Sequence, residues 1–134
     1  MNAPTSQTRD RPLSPHLSIY RWQSHMLVSI LHRVTGSALT VAGLGLLTWW
    51  LLALAGDADA YAAFESHAGA WYGQVVLIGL TWAFFQHTFS GLRHLVLDMG
   101  AGYELKTNRF WSIMTIVLAL FFTALVWAMF KGVF

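Results

Sequence analysis

The chain has 134 residues, with charged side chains at 10%, aromatics at 15%, a formal net charge of +2 and no cysteine. A soluble domain of this size needs more polar surface to stay dissolved, and so slight a basic balance excludes a nucleic-acid binder. Without cysteine there are no disulfides, thiolate-held iron–sulfur clusters or cysteine-ligated haem within the chain, so a redox cofactor here hangs on histidine or methionine.

The N-terminal stretch MNAPTSQTRDRPLSPHL lacks an apolar h-region and mixes its charges, so it reads as a cytosolic tail, as in a bacterial protein. Within it Ser14-Pro15 predicts a helix start, and Leu17, Tyr20, Arg21 and Trp22 predict a short segment lying on the inner membrane surface. Residues 1–26 are thus assigned to a cytoplasmic segment.

Three stretches, 34–55, 71–92 and 110–130, contain no Asp, Glu, Lys or Arg. Each exceeds the about 20 residues that cross the roughly 30 Å hydrocarbon layer as a helix. They are apolar nearly all round, unlike the one-sided stripe of a soluble amphipathic helix. The expected fold is an all-α, integral membrane bundle of three transmembrane helices forming a single domain. Its spans are expected at 27–55, 71–92 with a cytoplasmic extension to 100, and 110–130, with an external loop at 56–70.

Basic residues orient the bundle. Arg9, Arg11, Arg21 and Arg33 precede or open the first span, and Arg93, Lys106 and Arg109 lie between the second and third. The 56–70 loop carries Asp57, Asp59 and Glu65 instead, and only Lys131 follows the third span. The positive-inside rule then predicts a cytoplasmic N-terminus and a periplasmic C-terminus. Trp49, Trp50, Trp71, Tyr72, Trp111 and Trp127 fall near span ends, where amphipathic rings prefer the headgroups, and Trp82 is the exception.

The second span leaves the membrane as HTFSGLRHLVLDMG, residues 87–100. At 100° per residue, His87, Gly91, His94 and Asp98 fall within about 60° of one another and form one stripe. His87 lies inside the hydrocarbon, where an ionisable side chain is costly and therefore a functional candidate. A neutral imidazole is a good iron ligand, and Gly91 one turn on leaves room for a flat macrocycle. A plainer role for His87 is a hydrogen bond to a neighbouring helix. His94 is about 10 Å further along the helix, too far to share one iron with His87, and is better placed to meet a haem propionate, with Arg93 or Asp98 tuning its charge. Arg93 also suits a positive-inside anchor.

The first span opens with SILHRVTG, residues 29–36. Ser29 and Arg33 share a face, continued by Gly36, Thr40 and Gly43, small residues that admit a close neighbour. Ser29 can donate to a quinone carbonyl, and Arg33 can stabilise the negative charge that develops on its reduction. Arg33 stays protonated, so the protons come from water, Asp98 or a partner chain. In the plainer alternative Arg33 snorkels to the headgroups and Ser29 packs. His32, at similar depth to His87, leaves open a second axial ligand within the chain.

RPLSPHL at 11–17, SILHRVTG at 29–36 and HTFSGLRHLVLDMG at 87–100, in this order along a chain of three spans, resemble the cytochrome b membrane-anchor subunits of succinate dehydrogenase. The resemblance covers most of the chain; Leu97 departs from it, where relatives often carry methionine or an aromatic, but touches no proposed ligand. It implies haem b with His87 as an axial ligand and the second ligand from a sister anchor subunit. It implies Ser29 and Arg33 at a ubiquinone site and His32 and His94 near the haem propionates, and it matches Asp98 to an acidic position. The implied partners are that second small anchor, an iron–sulfur subunit and a flavoprotein subunit, in a bacterial inner membrane. With no nucleotide-binding motif and no cysteine, the chain cannot itself oxidise succinate. Two other readings stay open: a stand-alone b-type carrier with His32 and His87 on one iron, and a cofactor-free scaffold.

Overall fold

The computed structural model of the chain describes His16 and residues 19–132, all helical or connecting, with no strand among them. Three helices are long and apolar enough to cross a membrane: Ser24–Ala55, Trp71–Asp98 and Leu105–Phe130. Helices are what such sequences form in lipid, because no water is there to satisfy a free backbone N–H or C=O.

The first span is built from α1 (Ser24–Ala38), a π turn (Leu39–Gly43) and α2 (Leu44–Ala55). Helix α1 starts ten residues before the charge-free run, so SHMLVSILHR is helical throughout. The π turn takes up Thr40 and Gly43, so the face shared by Ser29, Arg33 and Gly36 is offset there by the wider winding. Ser14, Pro15 and Leu17 lie outside the described residues. Tyr20, Arg21 and Trp22 are non-helical and follow a turn closed by Tyr20 N–H on the His16 carbonyl at 2.9 Å.

The connection expected as a loop at 56–70 is mostly helix, α3 (Ala58–Gly69). Asp57 caps it, accepting from the Ala60 N–H at 2.8 Å, and Asp59 in the first turn suits the helix dipole. Helix α3 packs back on the end of the first span, with Phe64 edge-on to Trp49 at 5.0 Å. Helices α4 (Trp71–Asp98) and α5 (Leu105–Phe130) are joined by a short turn. There Gly100, at φ +82°, lets Ala101 N–H reach back to the Val96 carbonyl at 3.3 Å, a left-handed helix stop that favours glycine.

Helix α4 is central and packs on both α1 and α5. Its buried positions are small or polar, Ala83, Gln86 and Ser90, and face Ser112, Thr115, Ala119 and Thr123 of α5 and Val28 and Thr35 of α1. This is membrane logic: lipid tails are as apolar as leucine, so helices associate by close approach. The buried hydroxyls satisfy themselves on the preceding turn, Thr35 on Leu31 at 2.7 Å, Ser112 on Asn108 at 2.7 Å and Thr123 on Ala119 at 2.7 Å. Gln86 is too long for that and its amide has no partner.

Candidate functional site: three stacked histidines

His87 and His94 sit seven residues apart on α4, and the ring of His32, from α1, enters the interval between them. His32 lies face to face with His87, with centroids 4.0 Å apart and planes 8° from parallel, and with His94 at 4.8 Å and 26°. Two glycines border the stack, and only Gly36 is tight against it. A Cβ at Gly36 would stand 2.9 Å from His87 Cε1, and one at Gly91 would stand 3.6 Å from His32 Cε1. The space that Gly91 leaves is filled by the His32 ring.

Each imidazole has its Nδ1 proton committed. His87 Nδ1 lies 3.0 Å from the His32 carbonyl oxygen and His94 Nδ1 lies 2.6 Å from that of Ser90. A carbonyl only accepts, so both nitrogens donate. His32 Nδ1 lies 2.8 Å from Ser90 Oγ, whose own proton goes to the Gln86 carbonyl at 2.6 Å, so here too the ring nitrogen is the donor. Thr35 Oγ1 adds a longer contact to His87 Nδ1 at 3.4 Å. With Nδ1 as the donor in each of the three rings, Nε2 is the nitrogen left to offer a lone pair. A ring N–H held by a backbone carbonyl is the outer-shell arrangement of metal-bound histidines, where it sets both tautomer and ring direction.

The stack limits what the chain can ligate. The lone pairs of His32 and His87 lie in two nearly parallel planes, so they cannot converge on one iron between the rings. Among the described residues no three His, Cys, Asp or Glu side chains are set to hold a bare metal ion. A macrocycle that brings its own four nitrogens needs only one imidazole from each side.

The other predicted residues stand apart from the stack. Ser29 is half-buried and Arg33 exposed on α1, and Asp98 is exposed at the last residue of α4. Arg93 reaches across to α5, where its guanidinium donates to Asn108 Oδ1. With Phe89, Leu92, Trp111 and Leu118 these two residues line a cavity of about 330 Å³. Its pairing is thus with a side chain of the next helix, and not with His94. Ser90, Thr35, Gln86 and Asn108 had not been singled out from sequence. Ser90 carried a signal, since it falls three residues after His87 and four before His94, the two spacings that share a helix face.

Residues 7–126 match the family of succinate dehydrogenase/fumarate reductase transmembrane subunits. The chain belongs to this family. It is 44% identical over 97 residues to the succinate dehydrogenase cytochrome b556 subunit of Paracoccus denitrificans, covering 72% of this chain and 74% of that one. It is 38% identical over 117 residues to the corresponding subunit of Rickettsia felis, covering 87% and 90%. The mitochondrial cytochrome b560 subunit of Homo sapiens is 36% identical over 113 residues, covering 83% of this chain and 65% of the human one. The family match contains the three stacked histidines and the first two spans entire. The chain is therefore a transmembrane subunit of the succinate dehydrogenase class.

Proposed function

We propose that the chain anchors a succinate dehydrogenase in the membrane, gives one axial ligand, His87, to a b-type haem shared with a second anchor chain, and lines part of a ubiquinone site with Ser29 and Arg33. The observation that carries this is the hydrogen bond from His87 Nδ1 to the His32 carbonyl at 3.0 Å, which leaves Nε2 as a free lone pair on an aimed ring. When bound, haem b takes up and passes on single electrons. His87 would hold it, and His32, stacked on His87, and His94, stacked on His32, fit the propionate side.

The parallel stack of His32 and His87 supports a second ligand from outside this chain over the stand-alone carrier. Arg33 is exposed on α1, as a residue must be that completes a site against another subunit. Its fixed charge stabilises the oxyanion of a quinone being reduced, while Ser29 Oγ can donate to a quinone oxygen. Asp98, exposed at the end of α4, is a candidate for relaying protons that Arg33 cannot give up. The basic residues before α1 and between α4 and α5 support a cytoplasmic placement of that side, with α3 and Lys131 periplasmic, in a bacterial inner membrane. The iron–sulfur and flavoprotein subunits then dock on the cytoplasmic side.

The test is a reduced-minus-oxidised spectrum of membranes carrying the chain with and without its second anchor. A b-type signal that needs both chains, and that His87→Leu abolishes, is expected. A full signal from this chain alone would establish the stand-alone carrier, and no signal in either case the scaffold.

A further inference from the structure

We infer that Ser90 is a positioning residue that fixes the plane of the His87 imidazole, acting through His32. The inference rests on His87 being an axial ligand, as proposed above. Ser90 is 0% exposed and uses both of its oxygens on the histidine stack. Its main-chain oxygen accepts from His94 Nδ1 at 2.6 Å. Its Oγ accepts from His32 Nδ1 at 2.8 Å, and can only accept there because its proton is donated to the Gln86 carbonyl at 2.6 Å. The buried hydroxyl of Thr123 also bonds the preceding turn. That of Ser90 also receives a ring N–H from another helix at 2.8 Å, closer than the 3.4 Å contact of Thr35 Oγ1 with His87 Nδ1.

The consequence travels one ring further. His32 presses its face on His87 at 4.0 Å, near the closest approach of two flat rings, and its carbonyl takes the His87 Nδ1 proton. Turning the His87 ring about its Cβ–Cγ bond would drive it into His32. His32 can give way only by breaking its bond to Ser90, and on its edge His87 meets the backbone at Gly36. The plane of the ligand is thus set by a residue whose side chain meets only the main-chain carbonyl of His87, at 3.2 Å, and not its ring. In a low-spin ferric haem with two imidazole ligands, the angle between their planes governs the splitting of the iron d orbitals and so the spread of the electron paramagnetic resonance g values. That signal reads the plane directly, and orienting residues around a ligand are a recognised means of tuning a metal centre.

The experiment is this resonance spectrum of the assembled, purified complex with Ser90→Ala, Ser90→Thr, His32→Phe and the double variant S90A/H32F, beside His87→Leu. Ser90→Ala should keep haem but shift and broaden the lowest-field feature, and Ser90→Thr, which retains a hydroxyl, should restore the parental line. His32→Phe keeps a flat ring but cannot bond Ser90, so it should shift the line as Ser90→Ala does, and the double variant should add nothing. A parental spectrum in Ser90→Ala, with haem lost in His87→Leu, overturns the inference and leaves the ligand assignment standing. Haem retained in His87→Leu overturns the assignment itself. Should Ser90→Ala fail to accumulate, the pair Ser90→Thr and His32→Phe decides: an unshifted line in His32→Phe refutes the coupling, and a shifted one with Ser90→Thr parental upholds it.

Discussion

The imidazoles of His32 and His87, on different helices, lie 8° from parallel with 4.0 Å between centroids, and the His32 backbone oxygen takes the proton of His87 Nδ1. One residue therefore supplies both the wall and the hydrogen bond that orient the other. His87 keeps a free Nε2 lone pair, and the two rings cannot meet at a common iron.

Gly36 and Gly91 should respond differently to a methyl group. At Gly36 the new Cβ would stand 2.9 Å from His87 Cε1, and the ring, pinned by His32, has little room to retreat. Overpacking of this kind costs about 1–3 kcal/mol, and Gly36→Ala should lower the haem-to-protein ratio of the purified complex. At Gly91 the Cβ would make ordinary contact at 3.6 Å, so Gly91→Ala should keep haem near the parental level. An equal loss in both variants would mean that a macrocycle, and not His32, lies over Gly91.

Arg33 is exposed on α1, so removing it should leave the bundle intact. Arg33→Leu should cut quinone reduction by the complex about a hundredfold, the order seen when one charge-stabilising donor is removed, while succinate oxidation with an artificial acceptor persists. Arg33→Lys should recover part of the rate, since the charge returns without the forked donor. Quinone turnover that is indifferent to both changes would leave Arg33 a headgroup anchor.

Much of the fold was legible because the membrane imposes it: three charge-free runs require three helices, and three helices are found. The helical linker was missed because apolar runs mark lipid and not helicity, although Asp57 three residues before Ala60 was a readable cap. At the site, the stripe of His87, Gly91 and His94 followed from helical spacing. The insertion of His32 between the two histidines did not, because it depends on how α1 and α4 approach, which no single-helix periodicity encodes. The same holds for Arg93, whose partner Asn108 lies on another helix.

Gln86 is the misfit of the interior. It is 0% exposed, so neither lipid nor a partner subunit reaches it, and both its amide nitrogen and its amide oxygen lack partners. An orphaned buried polar group costs about 1–3 kcal/mol, and leucine fills a similar volume without that demand. Gln86→Leu should therefore raise the thermal midpoint of the complex, followed by loss of the haem absorbance on heating. A lower midpoint would show that an internal water or a shifted neighbour satisfies the amide.

Arg93 and Asn108 form the one side-chain bridge between α4 and α5 that involves a charge among the described residues. A hydrogen bond to a charged group contributes about 1.5–3 kcal/mol, so Asn108→Ala should destabilise the complex by that order. The Arg93 Nε is already buried without a partner, so stripping Asn108 leaves the guanidinium further uncompensated. Removing both should then cost less than the two single losses added together, because Arg93→Leu takes away the charge that Asn108 serves. Haem absorbance should not move in any of the three, since the pair faces α5 and the cavity beside Trp111 while the histidines stack against α1. Additive losses would mean that the two residues act independently, and a shifted haem band would tie Arg93 to the histidine side of α4 after all.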